Sequence, residues 1–254
     1  MKIQTVGLSD VGRKRKKNED SFLINTKANL FIVADGMGGH SGGEFASRFA
    51  VSAIEEVIES LTGDSEATLI SGVNSDDTDF GDQLRYAVQV ASQKIYDQSL
   101  FDQSLRGMGT TVVALLIKES RACIANVGDS RAYLLRDGKL KQLTTDHSLV
   151  KEQMRAGLIS ENDAKNHQFR NIITRSVGYQ EDVEIDLEYI DLKPLDKFIM
   201  CTDGLTNMIS DEVILKAVQG RDPQAACKEL IRLSNENGGE DNITVVICEV
   251  DKQA

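Results

Sequence analysis

The chain has no tryptophan, two prolines and three histidines in 254 residues. With so little proline the sequence offers no candidate hinge, and we expect residues 1–254 to form a single domain. The longest strictly apolar run, VVALLI at residues 112–117, is far short of the roughly 18 residues that span a membrane. The N-terminal MKIQTVGLSD lacks the apolar region of a secretory signal. These absences predict a soluble, cytoplasmic protein with no membrane association.

Cysteine is also scarce, and its spacing is not that of a metal-binding motif. Cys123, Cys201, Cys227 and Cys248 contain no CxxC pair and lie in apolar or helical surroundings. This spacing argues against a disulfide framework and against a zinc ribbon. We expect buried free thiols.

The charge balance is strongly acidic. A formal net charge of −11 disfavours nucleic acid as the main partner, because binding to a phosphate backbone rewards a basic surface. It fits a protein whose carboxylates are partly neutralised by bound cations. One stretch runs against this balance, since RKRKK at residues 13–17 is five consecutive bases. Such a run is typical of a solvated charged face or of a nucleic-acid-binding arm.

Hydrophobic periodicity predicts a mixture of strands and helices that does not alternate strictly. Strands are expected at 2–10, 20–25, 29–36, several times in 109–144, within 183–201 and at 243–250; helices are expected at about 46–61, 82–100, 211–218 and 223–235. Residues 62–81 are acidic and weakly apolar, which predicts a surface insertion, and residues 146–180 are irregular to helical. This order favours an α+β fold.

Four aspartates lie at the ends of apolar runs: Asp35, Asp129, Asp203 and Asp241. Asp-Gly is a common hairpin turn, and Asp137-Gly138 between polar flanks is read as a plain turn. The four differ because long apolar segments bring each carboxylate to the edge of the core. An isolated carboxylate there is costly unless it is paired or bound to a metal. As a set they favour a shared cation site.

The donor chemistry selects the type of metal. Carboxylates are many, whereas histidines are few and cysteines unpaired. Hard oxygen donors suit Mg²⁺ or Mn²⁺ better than zinc. The glycines after Asp35, beginning with Gly36, let backbone carbonyls approach an ion and leave an open floor for a substrate.

Eight short motifs follow one another along nearly the whole chain. They are NED (18–20), VADGMGGHSGGEFAS (33–47), GMGTT (107–111), NVGDSRAYLLRDG (126–138), TTDHSLV (144–150), RNIITRSVG (170–178), CTDGLTNMI (201–209) and EDNITVV (240–246). In this order they resemble the motifs of bacterial metal-dependent protein serine/threonine phosphatases of the PP2C (PPM) family. The resemblance covers about residues 5–250.

The resemblance implies a four-layer α/β/β/α sandwich, in which two antiparallel sheets are flanked by helix pairs and residues 146–180 form a flap. It also implies two Mn²⁺ or Mg²⁺ ions per active site at one end of the sandwich. By analogy Asp35 bridges the two ions, and Asp203 and Asp241 complete the first. The Gly36 carbonyl contacts the second.

Further site residues follow from the same resemblance. Glu19 and Asp20 are expected to hold metal-bound waters. Asp129, together with Asp203, resembles the ligands of a third, weaker metal in bacterial members. Arg15 matches the family's arginine before the NED element, and its guanidinium suits two phosphate oxygens better than a lysine would.

The candidate general acid is His40. Eukaryotic relatives carry a histidine directly after the Asp-Gly, where this chain has Met37, and His40 is the nearest replacement. A general acid must reach the leaving oxygen, and the sequence does not fix whether His40 does so.

The predicted activity is hydrolysis of phosphoserine and phosphothreonine in phosphorylated proteins, such as a cognate serine/threonine kinase or its substrates. The mechanism expected is direct in-line attack by a metal-bridging hydroxide, without a phosphoenzyme. The main alternative is a pseudophosphatase that binds phosphoproteins without hydrolysing them. A haloacid-dehalogenase-type enzyme needs a DxD core after the apolar strand, and VADGMGG at residues 33–39 has no second aspartate. A nucleic-acid binder through residues 13–17 conflicts with the acidic charge.

Overall fold

The computed structural model describes residues 2–38, 42–63, 79–160, 163–164, 167–169 and 171–251. The strands are β1 (Ile3–Asp10), β2 (Asp20–Asn25), β3 (Leu30–Met37), β4 (Gly109–Thr110), β5 (Val112–Lys118), β6 (Arg121–Val127), β7 (Arg131–Arg136), β8 (Lys139–Gln142), β9 (Asp186–Asp191), β10 (Lys197–Cys201) and β11 (Ile243–Val250). The helices are α1 (Gly42–Gly63), α2 (Phe80–Phe101), α3 (Leu149–Arg155), α4 (Asp203–Thr206), α5 (Asp211–Val218) and α6 (Pro223–Glu236), with a short 3-10 helix at Gln103–Leu105.

The strands form two antiparallel sheets. One has the order β1-β11-β10-β7-β8, and the other has the order β2-β3-β5-β6-β9 with β4 paired to β3. The neighbouring strands pair antiparallel throughout.

The central strands are apolar on both faces because each sheet is covered on both sides. In β3, Leu30 and Ile32 face a core shared with α1 and α2, whereas Phe31 and Val33 face the other sheet. Side chains alternate along a strand, so a strand covered on both sides reads as a continuous apolar run. This explains why the sequence of β5 shows no alternation.

Three buried clusters define four layers. α1 and α2 cover the outer face of the β3-containing sheet, a second cluster joins α4, α5 and α6 to the outer face of the β11-containing sheet, and a third lies between the sheets. The expected α/β/β/α sandwich is confirmed. No helix in the described part of the chain is long and apolar enough to cross a membrane.

The antiparallel pairing brings several strand ends to one end of the sandwich. The start of β2 lies beside the end of β3, and the end of β10 lies beside the start of β11. The end of β6 lies beside the start of β5, which follows directly on β4. The candidate ligands therefore share one pole of the molecule.

Other expectations fare differently. The Asp137-Gly138 turn is the two-residue hairpin of β7 and β8, and both residues have positive φ. Within the expected flap, α3 is helical and the segment near Val177 pairs with Thr110. Of the expected insertion at 62–81, only the ends of α1 and α2 are described, and residues 64–78 lie outside the described residues.

Candidate metal centre

Three of the predicted carboxylates meet where β2, β3 and β10 end. Asp20, the first residue of β2, lies directly opposite Asp35 in the register with β3. Asp203 is the first residue of α4, just after β10, and its charge helps to raise the pKa of both Asp35 and Asp20. Neighbouring carboxylates repel each other unless a proton or a cation lies between them.

The electrostatics of these groups reflect burial and mutual repulsion. Burial, together with the charges of Asp203 and Asp241, raises the pKa of Asp20 to about 7. Burial, followed by the charges of Asp20 and Asp203, raises the pKa of Asp35 well above its usual value. Burial and the charge of Asp241 likewise raise the pKa of Asp203. The metal-free cluster therefore favours protons, and a cation can take their place.

Unpaired buried oxygens show that the carboxylates fit a cation. The Oδ1 atoms of Asp20, Asp129 and Asp203 are buried and have no hydrogen-bond partner. Buried polar atoms without partners are rare because they lose their hydration. No three aspartate, glutamate, histidine or cysteine side chains in the described ranges form a ready-made coordination shell. The fit to a cation therefore rests on buried carboxylate oxygens that accept no hydrogen bond.

Two glycines allow the backbone to pack closely beside Glu19. A Cβ on Gly36 would lie 2.0 Å from the carbonyl oxygen of Gly43, so only glycine allows this approach. A Cβ on Gly43 would in turn lie 2.8 Å from the Gly36 carbonyl oxygen and 3.0 Å from Cδ of Glu19. The Gly36 carbonyl and the Glu19 carboxyl group thus both lie beside the backbone of Gly43. Their closeness suits the predicted roles of Gly36 as a metal ligand and of Glu19 as a ligand of metal-bound water.

Arg15 lies at the rim of the cluster. Its Nη2 donates a hydrogen bond of 2.7 Å to Oδ2 of Asp241, and its side chain is half exposed. The predicted phosphate-binding residue and a predicted metal ligand are therefore paired with each other. The resemblance alone did not indicate this contact.

Asp129 lies at the edge of a cavity of about 630 Å³ that also contains Asp203 in its wall. Burial and the charge of Asp203 raise the pKa of Asp129 to about 8. The flap helix α3 lines the same cavity with Lys151 and Met154. The candidate third-metal site thus opens toward the flap.

The histidines occupy different positions. His40 lies outside the described residues, so its candidate role in catalysis stays a prediction. His147 is buried, accepts a hydrogen bond from the backbone N–H of Gly128 through Nδ1 and contacts Asp186 through Nε2. These contacts give His147 a structural role, because it links Gly128 to Asp186.

Sequence reasoning missed the threonines that hold Asp20. Thr202 and Thr244 both donate hydroxyl hydrogen bonds to Oδ2 of Asp20, at 2.9 and 2.7 Å. The other oxygen of Asp20 is left without a partner. Both threonines lie within motifs that were noted for their aspartates, and their hydroxyl groups were the available signal.

Asn242 was also missed, although it belongs to the EDNITVV motif. Its Oδ1 accepts a hydrogen bond from the backbone N–H of Glu19, and its Nδ2 donates to the carbonyl groups of Val11 and Lys17. The side chain is buried. A single amide therefore joins the loop before β2 to the loop that carries Asp241.

Comparisons with known proteins agree with this geometry. The family profile described as protein phosphatase 2C matches residues 12–241. The serine/threonine phosphatase Stp of Listeria monocytogenes is 40% identical over 249 residues, covering 96% of this chain and 94% of that protein. The serine/threonine protein phosphatase PstP of Mycobacterium tuberculosis is 36% identical over 245 residues, covering 95% of this chain and 44% of that protein.

Solved structures are similar over nearly the whole chain. The catalytic domain of PstP in complex with two manganese ions matches with a TM-score of 0.83 and 34% identity, covering 98% of this chain and 99% of that chain. Stp1 from Staphylococcus aureus matches with a TM-score of 0.86 and 30% identity, covering 99% and 96%. The fold and the sequence similarity define a serine/threonine phosphatase. The chain belongs to the protein phosphatase 2C family, as its motifs predicted.

We expect Asn242→Ala to lower the free energy of unfolding by about 2–4 kcal/mol, because three hydrogen bonds worth about 0.5–1.5 kcal/mol each are lost. Asn242→Asp keeps the size and the acceptor but loses the donor to Val11 and Lys17, and should also destabilise. Urea denaturation measures both. Asn237→Ala removes an amide on the exposed end of α6 and should change stability by less than about 0.5 kcal/mol. Equal effects at positions 237 and 242 would contradict the role of Asn242.

The metal-free protein should lose stability as the pH rises. The pKa of Asp20 is raised from 3.8 to about 7, and that of Asp129 to about 8. The folded state therefore binds these protons more tightly than the unfolded state does. The stability that this proton binding provides is lost as the pH rises from about 4 to about 8. In EDTA, the Tm should fall across this range, and Mn²⁺ should raise it more at the upper end. A Tm in EDTA that is unchanged or rises would contradict this.

Proposed function

We propose that this protein hydrolyses phosphoserine and phosphothreonine in phosphoproteins, with two Mn²⁺ or Mg²⁺ ions held by the carboxylate cluster. The observation that carries the proposal is the group of buried carboxylate oxygens without donors beside Asp35, with Arg15 at the rim. The names of the related proteins support the substrate class, since Stp and PstP are serine/threonine phosphatases.

The roles of the ligands follow from their positions. Asp35, between Asp20 and Asp203, is best placed to bridge two cations, with Asp203 and Asp241 on the first. The Gly36 carbonyl is proposed for the second cation, and Glu19 beside it for a water molecule. When bound, such ions lower the pKa of water toward neutrality and neutralise charge on the transferred phosphoryl group.

Hydrolysis should proceed without a phosphoenzyme. Cysteine is an effective nucleophile only as a thiolate. Cys201, the cysteine two residues before Asp203, is fully buried, and burial raises its pKa to about 12. The remaining three cysteines are buried in the cores as well. We therefore propose direct attack by water on phosphorus, which brings solvent ¹⁸O into phosphate, and trapping of a covalent phosphoenzyme would contradict this.

Asp129 is proposed as a ligand of a third, weaker cation together with Asp203. Its buried Oδ1 lacks a partner, and it borders the cavity beneath the flap helix. The proposed partners are phosphorylated proteins, such as a serine/threonine kinase or its substrates.

Phosphate release from a phosphothreonine peptide should require Mn²⁺ or Mg²⁺ and should stop in EDTA. Asp203→Asn should abolish release, because it removes a ligand of both the first and the third cation. The same variant should be more stable than the parent in EDTA at about pH 8, because one repelling charge is gone. A folded parent that binds the peptide but releases no phosphate with any metal would favour the phosphoprotein-binding alternative.

Arg15→Ala should lower kcat/KM by about 10- to 150-fold, the equivalent of about 1.5–3 kcal/mol for a hydrogen bond to a charged group. Arg15→Lys keeps the charge but not the two-pronged geometry, and should recover only part of the loss. A Mn²⁺ titration distinguishes phosphate binding by Arg15 from a second role, the neutralisation of Asp241. If Arg15 acts mainly by neutralising Asp241, Mn²⁺ affinity rises in Arg15→Ala and kcat/KM at saturating Mn²⁺ stays unchanged, which contradicts the phosphate role.

A further inference from the structure

The five consecutive bases lie in a loop that is fixed in place. The backbone N–H groups of Arg13 and Lys14 both donate to the carbonyl of Gly239, at 2.7 and 3.2 Å. The side-chain Nδ2 of Asn242 donates hydrogen bonds to the carbonyl groups of Val11 and Lys17. We call residues 11–18, between β1 and β2, the basic loop. Its backbone is thus bonded to the loop that carries Asp241.

The packing between the two loops leaves little room for movement. Gly12 has a φ of +79°, and a Cβ there would lie 2.2 Å from the carbonyl oxygen of Asp241. A Cβ on Gly239 would lie 2.8 Å from Cγ of Arg13. The basic loop therefore presents its side chains from a defined position beside the proposed active site.

Four of the five bases are not used by the proposed chemistry. Arg15 pairs with Asp241, whereas Arg13, Lys14, Lys16 and Lys17 are exposed and form no ion pair with the carboxylates that the structure describes. Without these bases the chain would be even more acidic than its net charge of −11. A dense positive patch on an acidic protein thus surrounds the residue proposed to hold phosphate.

The distances suit the residues that flank a phosphorylated side chain. The four bases are within two residues of Arg15, so their Cα atoms lie at most about 7.6 Å from its Cα. An extended peptide advances about 3.3 Å per residue, so residues two to four positions from a phosphoresidue lie about 7–13 Å away. The two ranges overlap, so a base of the loop and an acidic flanking residue can approach each other to within the Debye length of about 10 Å at 0.1 M salt.

We propose that the basic loop is a docking surface for an acidic segment of the substrate, rich in Asp and Glu, that flanks the phosphoresidue. This rests on the proposed function and adds a preference among phosphoproteins. A membrane or a nucleic acid fits less well, because its broad anionic face would also meet the rest of a strongly acidic chain. A short acidic segment needs to contact only the loop.

The test compares two phosphothreonine peptides that differ only in acidic or neutral flanks. The triple variant Lys14→Gln, Lys16→Gln and Lys17→Gln retains both arginines. Because exposed ion pairs are weak individually, we expect its kcat/KM for the acidic peptide to fall about five- to tenfold more than for the neutral peptide. The loss should appear in KM and diminish at high salt. A peptide with a second phosphate in place of the acidic residues tests whether carboxylates or phosphate are preferred.

A matched control removes the same charge elsewhere. Lys118, Lys139 and Lys228 are exposed and remote from the site, so their triple change to Gln alters the net charge equally. This control should keep the preference for the acidic peptide. Equal losses in both triple variants, or equal losses on both peptides, would overturn the proposal. So would salt-sensitive retention on anionic vesicles or duplex DNA that depends on the lysines while peptide preference does not.

A binding measurement separates this proposal from the proposed function. Fluorescence anisotropy of an acidic, unphosphorylated peptide in EDTA requires neither metal nor turnover. Weaker binding to the lysine variant than to the control would support the docking surface even if no phosphate were released. Failure of hydrolysis with intact docking would overturn only the proposed function, whereas intact hydrolysis without any peptide preference would overturn only the docking surface.

Discussion

The structure depends on the enforced proximity of like charges at one end of the sandwich. The register of β2 with β3 sets Asp20 opposite Asp35, and α4, directly after β10, begins with Asp203, whose charge acts on both. Such a cluster opposes folding unless it is protonated or holds a cation. The apolar side chains of the strands pack against the helices on one face and against the other sheet on the opposite face. The free energy of burying them holds the carboxylates in place despite their repulsion.

Much of the surrounding detail serves to hold this cluster in one arrangement. Thr202 and Thr244 satisfy one oxygen of Asp20 and leave the other free. Asn242 bonds the basic loop, which precedes β2, to the loop of Asp241 and thereby orients it. The positions of the proposed ligands and of the proposed docking surface therefore depend on the same buried amide.

The sequence predicted the class of the fold and most of its elements, because local patterns carry that information. The limits of β2 and β11 were predicted to the residue, and α6 was predicted to within one residue. The candidate ligands came from motifs, and their joint action in metal binding stays a prediction. The pairing of Arg15 with Asp241 could not be predicted, because it joins residues 226 positions apart.

The sequence by itself determined the alternation of strands and helices, the acidic balance and the positions of carboxylates at the ends of apolar runs. These are properties of neighbouring residues, set by side-chain periodicity and by turn chemistry. Only the tertiary structure decided which carboxylate oxygens lack partners, which glycines allow a close approach and which carboxylate pairs with Arg15. Those properties depend on contacts between segments far apart in the chain, which form only when the two sheets pack together.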